Sequence, residues 1–363
     1  MRTDSPLWVG SALALTELPN LVFGVPAGIV ADRFDRRKIL RIVEGAHAAT
    51  YLLTGLLLAT DSLALWHLLA LAFWGGSMAT LHETTRLSMA YDVAGPGSYV
   101  RGLSLMHGSD RLGGLVGFAI TGSVMERIGF DVAYFIMAGI SLTALALVLG
   151  VRQAQQQQVR HESPAGSLRT LLREIRRNRP LLTLLVITAV VEVVGFSFIT
   201  ALPFVARDVL GFGPEGLGIM AAVGSAGGAG AVLVHAVRGE RARKKVIYVA
   251  GLVLMSLGLI VLGLSGALFA VLAAVLVIEA TAVTSDIMSQ ALIQQTVANE
   301  LRGRAMGSWV FAIGVAPLGQ LEMGALVLGI GVGAALVVNG GAMLLVASVS
   351  GVLVHRLWRS AAE

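Results

Sequence analysis

Five charged residues, Glu17, Asp110, Arg111, Glu192 and Glu279, fall well inside long apolar stretches of the chain. An ionised side chain at the centre of a hydrocarbon layer costs at least about 2.5–3.5 kcal/mol, so each needs a partner or a water-filled cavity. A carboxyl removed from water favours its neutral form, and water access from alternating sides would let it take up and release protons near neutral pH. The chemistry open to these residues is proton binding and charge pairing. Glu17, Glu192 and Glu279 read as cavity carboxyls. Asp110 and Arg111 fit a cavity wall or a structural pair equally well, and each needs its own partner, because sequence neighbours do not face one another on a helix. Glu83 and Arg86, three residues apart, read as a helical ion pair, and Glu44 as a residue near the membrane surface. Asp286 lies nearer one end of its span and Glu322 nearer the end of its own.

Other chemistries are excluded. There is no cysteine, which removes disulfides, thiolate catalysis and Cys-ligated metals. No Gly-x-x-x-x-Gly-Lys-Ser/Thr is present to cradle ATP phosphates. His82-Glu83-Thr-Thr-Arg86 lacks the second histidine of a zinc-binding H-E-x-x-H, and the other histidines are scattered, so no metal is expected. The glycine-rich run at 224–230 lies inside an apolar stretch and reads as helix packing, not as a dinucleotide loop. The chain is expected to be no enzyme and to carry no cofactor.

The elements that position these residues are membrane helices. Of 363 residues, 56% are hydrophobic and 13% charged, against about a quarter charged in soluble domains. Runs of about 20 apolar residues fall at 7–31, 39–59, 63–85, 102–125, 130–150, 181–206, 214–237, 246–265, 267–290, 304–327 and 329–355. Their continuity excludes the alternating strands of a barrel. The chain is thus expected to be an all-α protein of the lipid bilayer with eleven spans. A polar, basic stretch at 152–179, with a short amphipathic helix around 167–178, divides it into halves at 1–151 and 180–363.

The loops set the orientation. Of the 27 basic residues, only Arg2, Arg127 and Arg207 lie on one side and Arg111 within a span. The rest, including Arg243, Lys244, Arg302 and Arg304 in the second half, share the other side, which the positive-inside rule makes cytoplasmic. The linker and the C-terminus are expected there too. The net charge of +5 is therefore topogenic, and no nucleic-acid partner is expected.

The loop Gly28-Ile-Val-Ala-Asp32-Arg33-Phe-Asp35-Arg36-Arg37-Lys38 carries one acid and a tight basic cluster between two spans, and Arg238-Gly-Glu240-Arg241-Ala-Arg243-Lys244-Lys245 echoes it in the second half. The pattern G-x-x-x-D-R-x-x-R-R-K resembles the loop after the second helix of the major facilitator superfamily of secondary transporters. Further stretches resemble its bacterial siderophore (enterobactin) exporters and macrolide-efflux-type proteins: Leu202-Pro203-Phe-Val-Ala-Arg207-Asp208-Val-Leu-Gly211, Gln294-Gln295-Thr-Val-Ala-Asn299-Glu300-Leu301-Arg302-Gly303-Arg304 and Ala316-Pro317-Leu318-Gly319. One departure is Phe118, where that branch has the proline of a Gly-Pro pair.

The resemblance implies two pseudo-symmetric six-helix halves, with Lys38-Ile39 matching Lys245-Val246 and span 7–31 matching 214–237. Span 181–206 is left without a partner, so eleven of the fold's twelve helices are expected here and the first to precede Met1. A natural eleven-span chain is the alternative. The resemblance also implies a monomeric inner-membrane exporter of siderophore-like or amphipathic drug-like molecules, working by alternating access and proton antiport. Gly28, Asp32, Arg33, Arg36 and Arg37 would form a latch that holds the outward-facing state. A metabolite importer or uniporter, and a non-transporting sensor or inactive paralogue, remain open. Phe196, Phe198 and Trp309 are expected to line the cavity.

Overall fold

A computed structural model of the chain describes residues 5–94, 99–150, 178–238, 243–296 and 302–359. Among the described residues every regular element is helical, as it must be where no water can satisfy backbone groups. The first half consists of α1 (Pro6–Arg33), α2 (Arg36–Ala59), α3 (Leu65–Ala94), α4 (Tyr99–Arg127) and α5 (Phe130–Gly150). The second consists of α6 (Arg179–Val194), α7 (Phe198–Phe204), α8 (Pro214–Arg238), α9 (Lys244–Leu264), α10 (Leu268–Gln295), α11 (Arg302–Ile313), α12 (Ala316–Ile330) and α13 (Val332–Arg359). The linker 151–177, with its expected amphipathic helix, lies outside the described residues.

Nine segments among the described residues are long and apolar enough to cross a membrane. The other two expected spans, α3 and α4, have 30 and 29 residues. They fall short on hydropathy, not length, and carry Glu83, Arg86, Asp110 and Arg111.

Two spans that read as continuous are broken. Residues 181–206 form α6 and α7 separated by Gly195, Phe196 and Ser197, followed by a π-helical turn at Val205–Val209. Pro203 inside α7 cannot donate the helical hydrogen bond, and the wider turn follows at once. Residues 304–327 split between α11 and α12, with Pro317 in the first turn of α12, where its missing N–H is harmless.

The halves repeat their packing. In the first, α1 lies on α3 and α2 on α5; in the second, α8 lies on α10 and α9 on α13. The halves meet through α1 on α12 and α4 on α8. α6 packs on α11, α12 and α13 and has no counterpart among the described residues of the first half. The corresponding surface there is an apolar groove between α4 and α5, lined by Gly113, Val116, Gly117, Ile120, Ile136 and Ile140 among others. The most deeply buried large side chains, Tyr248, Phe198, Phe204 and Leu252 among them, belong to the second half. Phe198 is thus a core residue and not a cavity wall. Trp309 packs on the same core and donates from Nε1 to the Ser289 hydroxyl at 3.1 Å.

Candidate functional site between the halves

At the end of the bundle away from the basic loops, the halves touch backbone to backbone. A Cβ on Gly122 of α4 would lie 2.6 Å from the Pro214 carbonyl oxygen and 2.9 Å from the Cα of Gly218 on α8. A Cβ on Gly10 of α1 would lie 2.4 Å from the Gln320 carbonyl oxygen and 3.3 Å from the Cα of Gly324 on α12. Small residues at both crossings allow this approach, the usual source of helix affinity in lipid. A polar clasp closes the α4–α8 crossing: Arg127 pairs with Glu215 at 2.7 Å, the Ser123 hydroxyl donates to Glu215 at 3.2 Å, and the Glu215 amide donates to Glu126 at 2.7 Å. Nothing in the sequence reading singled out Glu126 or Glu215, because their spans are far apart in the chain.

In the middle of the bundle the charges sort into separate pairs. Asp110 and Arg111 do not pair with one another. Asp110 receives two hydrogen bonds from Arg86 of α3, at 2.6 and 2.7 Å, and Arg86 also holds Glu83 at 2.8 Å. Arg111 reaches across the interface from α4 to Glu279 of α10, at 3.3 Å. Glycines on α8 make room for this cross-half pair: a Cβ on Gly224 would lie 2.8 Å from Cγ of Glu279, and one on Gly228 3.1 Å from the Arg111 guanidinium. Gly227 lets α8 approach the Leu276 backbone of α10. The glycine-rich run is helix packing, as expected.

The other carboxyls have no such partner. Glu17 on α1 accepts from Asn20 at 2.8 Å, and Asn20 in turn accepts from Thr80 of α3 at 2.7 Å. Glu192 on α6 is buried, 9% exposed, and the charged groups it faces are Asp286 and Glu17. Asp286 lies two turns beyond Glu279 on α10, facing Arg111, Glu279 and the fully buried Tyr248. Position along its span had set Asp286 apart from the centre; its spacing of seven from Glu279 was the signal that groups them on one helix face.

A second polar cluster lies inside the first half. His82 of α3 meets Glu44 of α2 at 3.2 Å, and His47 stacks on Tyr51 and meets His82 edge-on. Glu44 is buried between the two helices. Among the described residues no group of His, Cys, Asp or Glu is placed to hold a metal ion.

At the basic end, Asp35 caps α2 by accepting from the Arg37 amide at 2.9 Å, and the Arg37 guanidinium pairs with it at 2.8 Å. That guanidinium holds the Asp35 carboxyl below the usual carboxylate range. Arg36 is buried and donates to the Ala31 carbonyl at 3.1 Å, satisfying the C-terminal end of α1. The surroundings of Gly28 and the side chains of Asp32, Arg33, Arg302 and Arg304 lie outside the described residues. Arg243 and Lys244 stand at the start of α9.

Two pseudo-repeated helical halves, joined by glycine crossings at one end and enclosing charged groups at mid-depth, define a multi-pass membrane protein of the transporter class. The chain belongs to the Major Facilitator Superfamily, whose family model matches residues 3–319. No curated protein matches it by sequence. Solved structures share its fold. A bacterial homologue of the human lysosomal transporter Spinster, inward-facing and unoccupied, superposes with TM-score 0.74 at 15% identity, covering 97% of this chain and 90% of that one. The nucleoside transporter NupG gives 0.74 at 14% identity over 95% and 90%. A mutant of the peptide transporter POT gives 0.76 at 14% identity over 97% and 87%.

Proposed function

We propose that this chain is a proton-coupled secondary transporter that exports small molecules, siderophore-like or amphipathic drug-like, across the inner membrane by alternating access. The Arg111–Glu279 pair carries the reading. It is the mid-depth ion pair that bridges the two halves, and it exists while they are closed at the end away from the basic loops. A proton on Glu279 would cancel the carboxylate charge and release Arg111, so proton binding and the relative position of the halves become linked. Glu17 and Glu192 serve as further proton-holding groups on α1 and α6. In the alternate state, Asp32, Arg33 and Arg36 latch the basic, cytoplasmic end, with Gly28 allowing close helix approach.

The test is transport by purified protein in liposomes under an imposed pH gradient. Wild-type transport should depend on the gradient. Glu279→Gln should lose gradient-driven accumulation and keep passive exchange of substrate. Gradient-driven accumulation unchanged in Glu279→Gln would remove this coupling scheme.

A further inference from the structure

We infer that Arg86 is a positioning residue for the pair that bridges the halves: its hold on Asp110 makes α4 move with the first half and aims Arg111 at Glu279. This rests on the transporter reading above and adds to it the group that orients the pair. By chain order α4 belongs to the first half, but among the described residues it packs chiefly on α8 of the second and only lightly on α3 and α5. Close approach reinforces that attachment. A Cβ on Gly114 of α4 would lie 2.8 Å from the Ser225 hydroxyl oxygen of α8, and the Gly122 crossing follows about two turns further on. Dispersion contacts alone would leave α4 with α8 when the halves part.

Charge opposes this. Asp110 and Arg111 project about 100° apart on α4, and each is held by a different half: Asp110 by Arg86 of α3, Arg111 by Glu279 of α10. The two attachments are unequal. Arg86 grips both oxygens of Asp110, at 2.6 and 2.7 Å, and Glu83 holds the same guanidinium at 2.8 Å. The Arg111–Glu279 contact is single and 3.3 Å long, beyond the roughly 2.7–2.9 Å of a strong charge-assisted bond. Accessibility does not separate the two pairs, at 29% and 38% against 34% and 21%. Geometry does. A two-point grip fixes the direction of the carboxylate as well as its distance, and with it the rotation of α4. Arg111 lies against Gly228 and Glu279 against Gly224, in a slot that a Cβ at either glycine would crowd. A turn of α4 therefore takes the guanidinium out of reach of Glu279. When the halves separate, the longer cross-half bond breaks first and α4 follows Arg86.

Two spin-label distances in the purified full chain, which has no cysteine of its own, test this. Labels at Trp74→Cys and Ile120→Cys, exposed on α3 and α4, report whether α4 stays with its half. Labels at Ile128→Cys and Phe269→Cys, exposed on the two halves at the clasped end, report the ratio of open to closed outer end. In the otherwise unaltered chain the α3–α4 distance should be single-valued. There Arg111→Gln, Glu279→Gln and the two combined should each raise the open ratio by the same factor, about fivefold for a partly exposed ion pair. In Asp110→Asn a second α3–α4 distance should appear, and Arg111→Gln and Glu279→Gln should no longer change the open ratio. Exchanging the partners, Arg86→Asp with Asp110→Arg, should restore both readings, which general damage to α4 would not allow. A wild-type α3–α4 distance in Asp110→Asn, or an Arg111–Glu279 factor unchanged there, overturns the assignment and leaves the transporter reading standing. If Arg111→Gln and Glu279→Gln act independently in the otherwise unaltered chain, the bridging pair of the transporter reading fails and the assignment falls with it.

Discussion

Replacing Gly218 by alanine would put a methyl carbon 2.5 Å from the Phe118 carbonyl oxygen and 3.0 Å from the Cα of Gly122. Both neighbours are backbone atoms of α4, so no rotamer change relieves the contact. Attractive contacts between heavy atoms lie near about 3.5 Å, so α4 and α8 must part by about 1 Å at this crossing. Overpacking of this kind costs typically about 1–3 kcal/mol. In a conformation whose outer end is open, the helices are apart at this point and the methyl group costs nothing. Gly218→Ala should therefore shift the balance towards that conformation by about 5- to 150-fold. The chain has no cysteine, so spin labels can be attached at Ile128→Cys and Phe269→Cys, exposed positions on the first and second halves at the clasped end. Pulsed electron–electron distance measurements should show a longer population in Gly218→Ala. Gly139→Ala, where a Cβ meets open space, should leave the distribution unchanged. An unaltered distribution and an unaltered melting temperature in Gly218→Ala would show slack at this crossing and refute its role in holding the outer end closed.

Three further outcomes are expected. Asp35→Ala removes the N-cap of α2 and should cost about 1 kcal/mol in thermal unfolding. Because the folded-state carboxyl of Asp35 titrates below its usual range, the cap's contribution is complete above that range and is lost as pH falls through the lowered value; the melting temperature of Asp35→Asn should lack this acid-limb component, and identical pH profiles would dismiss it. Asp32→Asn should impair transport with membrane insertion intact, and full transport at normal expression would leave the basic cluster a purely topogenic role. A cysteine at Ser163 should be labelled only from the cytoplasmic side and one at Asp61 from outside, and labelling of Ser163→Cys in intact cells would reverse the proposed orientation.

The span pattern and the membrane class were legible because composition and apolar length act along one dimension of the chain. So was the need for separate partners at Asp110 and Arg111, which follows from helix geometry alone. Which partners they take was not legible: Arg86 lies on another helix and Glu279 in the other half, and only packing brings them within reach. The Glu44–His82 contact escaped for the same reason. The break at Gly195 was hidden inside an apolar run, where hydropathy is uniform; Pro203 was the local sign of irregular backbone. Glycine-rich sequence announced close packing, but the particular crossings at Gly10–Gly324 and Gly122–Gly218 depend on how the halves are docked.

The two kinds of contact between the halves respond differently to motion. The glycine crossings are made of shape: when the helices separate, they lose dispersion contacts that lipid tails can replace, and no polar group is stranded. The clasp at Arg127 is exposed, with 70% of that side chain accessible, so water can take over its hydrogen bonds and its strength is of the order of 1 kcal/mol or less. The Arg111–Glu279 pair is different. Its side chains are 34% and 21% accessible, less than the Arg127 clasp, so water replaces its hydrogen bonds less readily and parting it costs more. In the proposed scheme, proton uptake at Glu279 would lower that cost. The ends of the interface would therefore, in that scheme, part more readily than its centre, where proton binding at Glu279 would act on the same two side chains that join the halves.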